Sequence, residues 1–93
     1  MFADKTVVIT GASSGLGRQL ARDCAARRAN CVLFARNTAA LEEVAAECQA
    51  AGGRGLVVTG DVTVPEDCER LAKAAEEKFG GIDVFISNAG LSM

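Results

Sequence analysis

Residues 10–17 read TGASSGLG and join a short β-branched segment, Thr6–Ile9, to a predicted helix. Gly11 can take positive φ at the exit from the strand, because it has no Cβ. Gly15 lets the backbone approach a pyrophosphate, and Gly17 lets the helix pack closely on the strand. The free N–H groups of the first helical turn then face the anion. The turn therefore predicts a phosphate site, with a strand-to-helix turn that binds nothing as the alternative.

The rest of the chain alternates between segments typical of strands and segments typical of helices. The predicted strands cover 6–9, 31–35, 56–59 and 83–87, and the predicted helices cover 16–29, 39–51 and the stretch from a Thr63–Glu66 capping box to about 79. This alternation indicates right-handed βαβ units and a parallel sheet. We therefore predict an α/β fold with helices on both faces and strand order 3-2-1-4, an incomplete doubly wound sheet.

Composition excludes several classes of protein. The 93 residues allow one small domain, and 49% hydrophobic with 24% charged residues argues against disorder. A net charge of −2 provides no basic field for nucleic acid or anionic lipid. No apolar run approaches the roughly 20 residues of a membrane span, and the first strand follows Met1 too closely for a signal peptide. We therefore expect a cytoplasmic protein that binds neither nucleic acid nor membrane.

The cysteine and histidine content bears on metal binding and catalysis. The chain has four cysteines, Cys24, Cys31, Cys48 and Cys68, with no Cys-x-x-Cys pair, and it has no histidine. This composition argues against a zinc site and against His-dependent catalysis. Three cysteines fall on apolar positions of predicted helices and Cys31 opens a strand, so we expect buried, reduced thiols rather than a disulfide.

The spacing Thr-Gly-x-x-x-Gly-x-Gly resembles that of the short-chain dehydrogenase/reductase family, whose members have a Rossmann fold. The resemblance implies that residues 1–93 are the N-terminal part of a single NAD(P)-binding Rossmann domain. It also implies that the tip of the second strand meets the adenosine ribose, where a carboxylate favours NAD(H) and an arginine accepts the 2′-phosphate of NADP(H). Arg36 lies there, with no carboxylate before Glu42, which favours NADP(H) over NAD(H). Ser14, by contrast, stands where some NADP-dependent members carry a second basic residue.

Two later stretches also resemble the family. Asp61 and Val62 match a pair that contacts adenine, in which the carboxylate accepts from the amino group and the next N–H reaches a ring nitrogen. An aspartate in a turn before a helix is the local alternative. Residues 87–90, Ser-Asn-Ala-Gly, resemble the Asn-Asn-Ala-Gly that ends the fourth strand in the family, with serine replacing the first asparagine.

The ends of all four strands are expected to meet at one edge of the sheet and to form the dinucleotide site. The residues expected to contact the cofactor are Gly11, Ser13, Ser14, Gly15, Leu16, Gly17, Arg36, Asn37, Asp61, Val62, Asn88, Ala89 and Gly90. Arg28 departs from the family, since it stands where a glycine usually closes the first helix.

The residues that perform the family's chemistry are missing from this stretch. Members transfer a hydride between nicotinamide and a carbonyl or alcohol with a Tyr-x-x-x-Lys pair and a serine, and this chain has no tyrosine. We therefore predict no catalytic residue and no metal site here. The chain is interpreted as the NADP(H)-binding portion of a reductase, inactive alone, without the residues that choose the substrate.

Two other interpretations stay open. A free-standing dinucleotide-binding module would form a homo-oligomer through its fourth strand, because Val84–Ile86 is apolar on both faces and suits an interior strand better than an open edge. A non-enzymatic relic would leave the glycine turn empty. Titration with NADPH separates the relic from the other two, and a concentration-dependent hydrodynamic size favours the self-associating module.

Overall fold

Strands and helices alternate throughout the computed structural model, which describes residues 2–88. The seven elements are β1 (Thr6–Thr10), α1 (Gly15–Ala26), β2 (Asn30–Ala35), α2 (Thr38–Ala50), β3 (Arg54–Thr59), α3 (Pro65–Phe79) and β4 (Val84–Ile86). Neighbouring strands pair in parallel, and their order across the sheet is β3-β2-β1-β4. The predicted α/β fold and strand order are confirmed.

Helices cover both faces of the sheet. Alternate residues of the central strands point to opposite faces, so both sets of side chains are buried. Val7 and Ile9 of β1 pack against α1 and α2, whereas Val8 and Phe34 pack with Leu71 of α3. The four strand side chains are fully buried, which explains why residues 7–9 and 31–35 are continuous apolar runs. None of the helices in residues 2–88 combines the length and the apolar character needed to cross a membrane.

The four cysteines carry free thiols. Cys24, Cys31 and Cys48 lie in the core between the sheet and the α1–α2 layer, as predicted. Burial raises the pKa of Cys24, and contact with Cys48 together with burial raises that of Cys31. The prediction of a buried thiol is wrong for Cys68, which is only partly buried and whose thiol donates to the carbonyl of Val62 at 3.4 Å.

The first helix ends earlier than expected. α1 stops at Ala26 rather than at 29, because Arg28 takes a left-handed φ of 65°. The N–H of Arg28 donates to the carbonyl of Ala25 at 2.8 Å, and that of Ala29 donates to the carbonyl of Cys24 at 3.1 Å. This pair of hydrogen bonds is the Schellman ending, which normally has glycine at the left-handed position.

We expect Arg28→Gly to raise the free energy of unfolding by about 1 kcal/mol, because glycine takes left-handed φ without the steric cost of an L side chain. Arg27→Gly is the matched control. Arg27 has a φ of −97°, so glycine there only adds backbone entropy to the unfolded chain and should give no gain. Urea denaturation followed by circular dichroism measures both variants, and equal changes would contradict strain at Arg28.

The third helix begins without the predicted capping box. α3 starts at Pro65 with Val64 as its N-cap, and no side chain caps it. The amide and hydroxyl of Thr63 both donate to the Oδ1 atom of Asp61, at 2.8 and 2.7 Å. The capping prediction is therefore wrong, because a turn around Asp61 uses the hydroxyl that the box requires.

Candidate functional site

An open pocket of about 720 Å³ lies at the edge of the sheet where the strands have their carboxyl ends. It is lined by Gly11, Ser13, Ser14, Gly15, Leu16, Phe34, Ala35, Arg36, Asn37, Gly60, Asp61, Val62, Thr63 and Asn88. Ten of the thirteen residues predicted to contact a cofactor are thus brought together. Gly17 is buried and does not line the pocket, and Ala89 and Gly90 lie outside the described residues.

The glycine turn has the backbone conformation that the sequence predicts. Gly11 and Gly15 have φ values of 62° and 58°, and the space where Gly15 would carry a Cβ has no atom within 4 Å. A Cβ on Gly17 would lie 2.1 Å from the carbonyl oxygen of Gly11. Gly15 therefore keeps the mouth of the turn open, while Gly17 allows α1 to lie directly against the turn.

The N-terminus of α1 faces this opening with free backbone donors. Ser14 is the N-cap, its side chain makes no capping hydrogen bond, and the first turn contains no acidic residue. The first-turn N–H groups and the positive end of the helix dipole are therefore available to an anion. This arrangement suits a phosphate group.

Asn88 connects the end of β4 to the same turn. Its backbone N–H donates to the Oγ1 atom of Thr10 at 2.9 Å, and its side-chain Nδ2 donates to the carbonyl of Gly11 at 3.2 Å. A Cβ on Gly17 would come within 2.7 Å of that Nδ2 atom. Asn88 is thus part of the packing that fixes the turn, as well as part of the pocket wall.

Arg36 is the cation of the pocket wall. It is exposed at the end of β2, and within residues 2–88 its guanidinium makes no hydrogen bond or ion pair. The next side chain, Asn37, is already engaged, because its Oδ1 atom caps α2 by accepting from the N–H of Ala40 at 3.0 Å. Arg36 therefore keeps all its donors for a ligand.

Asp61 supplies the facing negative charge. The hydrogen bonds from Thr63, helped by the positive charge of Arg36, hold the pKa of the Asp61 carboxyl below its usual range. Both bonds end on Oδ1, so Oδ2 stays available as an acceptor. The turn expected as the local alternative is present, and it leaves half of the carboxylate free to meet a ligand.

Four lining residues were not predicted from the sequence: Phe34, Ala35, Gly60 and Thr63. A Cβ on Gly60 would lie 2.7 Å from the ring of Phe34, so only glycine fits directly after β3. Two of these four could have been predicted from the sequence, since Ala35 and Gly60 are the immediate neighbours of the predicted residues Arg36 and Asp61. The contact between Phe34 and Gly60 could not be predicted from the sequence, because it joins residues that are far apart in the chain.

Arg18 follows the glycine turn but does not line the pocket. Its guanidinium makes two hydrogen bonds to the Glu47 carboxylate on α2, one of them at 3.0 Å from Nε to Oε1. The bonds to Arg18 lower the pKa of Glu47. Within residues 2–88, no three His, Cys, Asp or Glu side chains are grouped as metal ligands would be.

Comparison with known proteins gives a consistent result. The family model for short chain dehydrogenase matches residues 5–93. The chain is 42% identical over 88 residues to an 11-beta-hydroxysteroid dehydrogenase of Pinus massoniana, which covers 94% of this chain and 25% of the relative.

Solved structures of the same kind superpose closely. L-Sorbose reductase from Gluconobacter frateurii, complexed with NADPH and L-sorbose, gives a TM-score of 0.86 at 36% identity, over 90% of this chain and 32% of that one. An NADH-dependent reductase complexed with NAD gives 0.84 at 32% identity, over 92% and 36%. The chain thus spans about a third of these structures and a quarter of the curated relative.

Proposed function

This chain belongs to the short-chain dehydrogenase family, whose model matches residues 5–93, and from that premise we propose that it is the NADP(H)-binding portion of an oxidoreductase. The full-length protein would transfer a hydride between the nicotinamide and a carbonyl or alcohol. The observation that carries the cofactor assignment is the guanidinium of Arg36 in the pocket wall, which has no hydrogen-bond or ion-pair partner among residues 2–88.

The charges around the ribose end of the pocket support NADP(H). A 2′-phosphate needs a cation with several donors, and a guanidinium can offer two parallel hydrogen bonds to it. An enzyme that prefers NAD(H) needs an acceptor for the 2′-hydroxyl at the same place. The side chain that follows Arg36 is Asn37, whose oxygen already caps α2. Arg36 is therefore suited to a phosphate, and no carboxylate follows it in the sequence before Glu42.

The other lining residues have complementary tasks in this proposal. The first-turn N–H groups of α1 and the open space at Gly15 accommodate the pyrophosphate. The free Oδ2 atom of Asp61 accepts from the adenine amino group, and the backbone N–H of Val62 reaches a ring nitrogen. When bound, the nicotinamide supplies the hydride. The residues of this chain hold the adenosine half and contribute no proton donor, so we expect residues 1–93 to be inactive alone.

Titration of the 93-residue chain with NADPH, NADP⁺ and NADH by isothermal calorimetry tests the proposal. We expect NADPH and NADP⁺ to bind weakly and within about threefold of each other, because only the adenosine and pyrophosphate are contacted. NADH should bind at least about tenfold more weakly, since a charge-assisted phosphate contact contributes about 1.4 kcal/mol or more. Equal affinities for NADH and NADPH would refute the cofactor assignment, and tight binding that separates NADPH from NADP⁺ would refute the limited contact set.

Self-association through β4 stays a prediction. β4 pairs with β1 along one edge, and 54% of Phe85 is exposed on its face. The relatives and structures described above are dehydrogenases and reductases, so they favour the oxidoreductase interpretation over a free-standing binding module. Sedimentation over a range of concentrations would measure any homo-oligomer directly.

A further inference from the structure

Asp67 lies in the first turn of α3, outside the pocket, and contacts the loop that forms one of the pocket walls. Its Oδ2 atom accepts a hydrogen bond from the backbone N–H of Asp61 at 2.9 Å. Its Oδ1 atom accepts from Arg70 at 3.2 Å, and the same guanidinium nitrogen donates to the carbonyl of Thr59 at 2.6 Å. A carboxylate and an arginine of α3 thus fasten both ends of the turn from 59 to 61.

This turn is also packed against α3. A Cβ on Gly60 would lie 3.0 Å from the Cβ of Asp67 and 2.7 Å from the ring of Phe34, so Gly60 fits between the sheet and the helix. The N–H of Gly60 donates to the carbonyl of Ala35 at 2.9 Å. Gly60 is therefore confined on both sides, and the Asp67 carboxylate holds the N–H of the next residue, Asp61, toward α3.

The second loop of the pocket is joined to the same place. The hydroxyls of Thr38, at the start of α2, and Thr59, at the end of β3, lie 2.7 Å apart. The loop that carries Arg36 is therefore linked to the strand end that Arg70 also holds. Asp67 and Arg70 lie behind the wall that Asp61 and Arg36 form, and neither lines the pocket.

We propose that Asp67, held by Arg70, is a positioning residue for adenine recognition. It fixes the backbone of Asp61, so that the free Oδ2 atom and the following N–H of Val62 keep the spacing that an adenine edge requires. The inference rests on the proposed function, since it concerns the adenosine half of the same cofactor. It assigns to α3 a part in base selectivity, although no residue of this helix lines the pocket.

Asp67→Ala tests the proposal against Glu66→Ala as matched control. Both residues are acidic and lie in the first turn of α3, so both substitutions remove the same favourable interaction with the helix dipole. Glu66 is exposed and, within residues 2–88, makes no side-chain hydrogen bond or ion pair with the turn or with Arg70. A difference between the two variants therefore reports on the turn alone.

The probes are adenosine 2′,5′-bisphosphate and inosine 2′,5′-bisphosphate, titrated by calorimetry into the 93-residue chain. Inosine lacks the amino group and carries a ring N–H, so it matches neither Asp61 nor Val62. We expect Asp67→Ala to weaken the adenosine compound about tenfold and the inosine compound less than about twofold, which lowers base selectivity. Glu66→Ala should leave both affinities within about twofold.

The alternative outcomes separate the inference from the function on which it rests. An equal loss on both probes, or equal behaviour of Asp67→Ala and Glu66→Ala, would overturn the positioning role while leaving cofactor binding intact. No binding of adenosine 2′,5′-bisphosphate by the unaltered chain would overturn the proposed function and the inference together. If circular dichroism shows that Asp67→Ala does not fold, Arg70→Ala, at a half-exposed position, is tested in its place. Full retention of the preference for adenine in that variant would refute the proposal.

Discussion

Arg36→Asp should weaken the binding of NADP⁺ and adenosine 2′,5′-bisphosphate at least about 100-fold and change that of NADH by less than about threefold. The substitution removes a guanidinium that has no partner in the described part of the chain. It also puts a negative charge beside the 2′-phosphate, so loss of attraction and new repulsion add. The same carboxylate can accept a hydrogen bond from the 2′-hydroxyl of NADH, which limits the loss for that ligand. Calorimetric titration of both ligands measures the ratio.

Arg27→Asp is the charge-matched control for this variant. Arg27 is exposed at the C-terminal end of α1, the end opposite to the one that faces the pocket, and its replacement changes the net charge by the same amount. We expect it to alter neither affinity by more than about twofold, because an exposed charge beyond a Debye length of about 10 Å is screened. Equal losses for NADP⁺ and NADH in Arg36→Asp would exclude Arg36 from phosphate recognition.

The architecture could be predicted from the sequence because the residue patterns of the single elements agree with the rules that connect strands and helices. The central strands contain continuous apolar runs, residues 7–9 and 31–35, and each helix presents small or apolar residues at helical spacing. Right-handed crossovers then leave few possible strand orders. One error, at the start of α3, lies where one polar side chain has two possible partners. Thr63 was expected to cap α3 and instead bonds Asp61, and no pattern in the sequence distinguishes these two short-range choices.

The position of the candidate site could be predicted from the sequence, but the residues that hold its loops in place could not. Arg36 and Asp61 fall into one pocket because each directly follows a strand, and the carboxyl ends of parallel strands share one edge. Asp67 and Arg70 were not predicted, since charged residues on an amphipathic helix are usually solvated. Their role depends on the placement of the turn from 59 to 61 against α3, which is a tertiary contact.

Gly17→Ala should lower the free energy of unfolding by about 3 kcal/mol or more, the upper part of the range for overpacking in a closed site. The sign of this change in stability is informative, because replacing glycine by alanine inside a helix normally stabilises a protein by about 0.5–1 kcal/mol. Here the new methyl group would lie 2.1 Å from the carbonyl oxygen of Gly11 and 2.7 Å from Nδ2 of Asn88. The first neighbour is backbone, so α1 and the glycine turn must separate. Chemical denaturation measures the change.

Gly15→Ala separates this steric effect from backbone strain. Gly15 has a φ of 58° and open space around its Cβ position, so alanine there should cost only about 1–2 kcal/mol for the left-handed conformation. Gly17→Ala should also weaken adenosine 2′,5′-bisphosphate, because the separation displaces the first-turn N–H groups from the phosphate. A Gly17→Ala variant that is as stable as the unaltered chain would show that the turn yields without cost. The close approach of α1 to Gly11 would then no longer explain why the third glycine is needed.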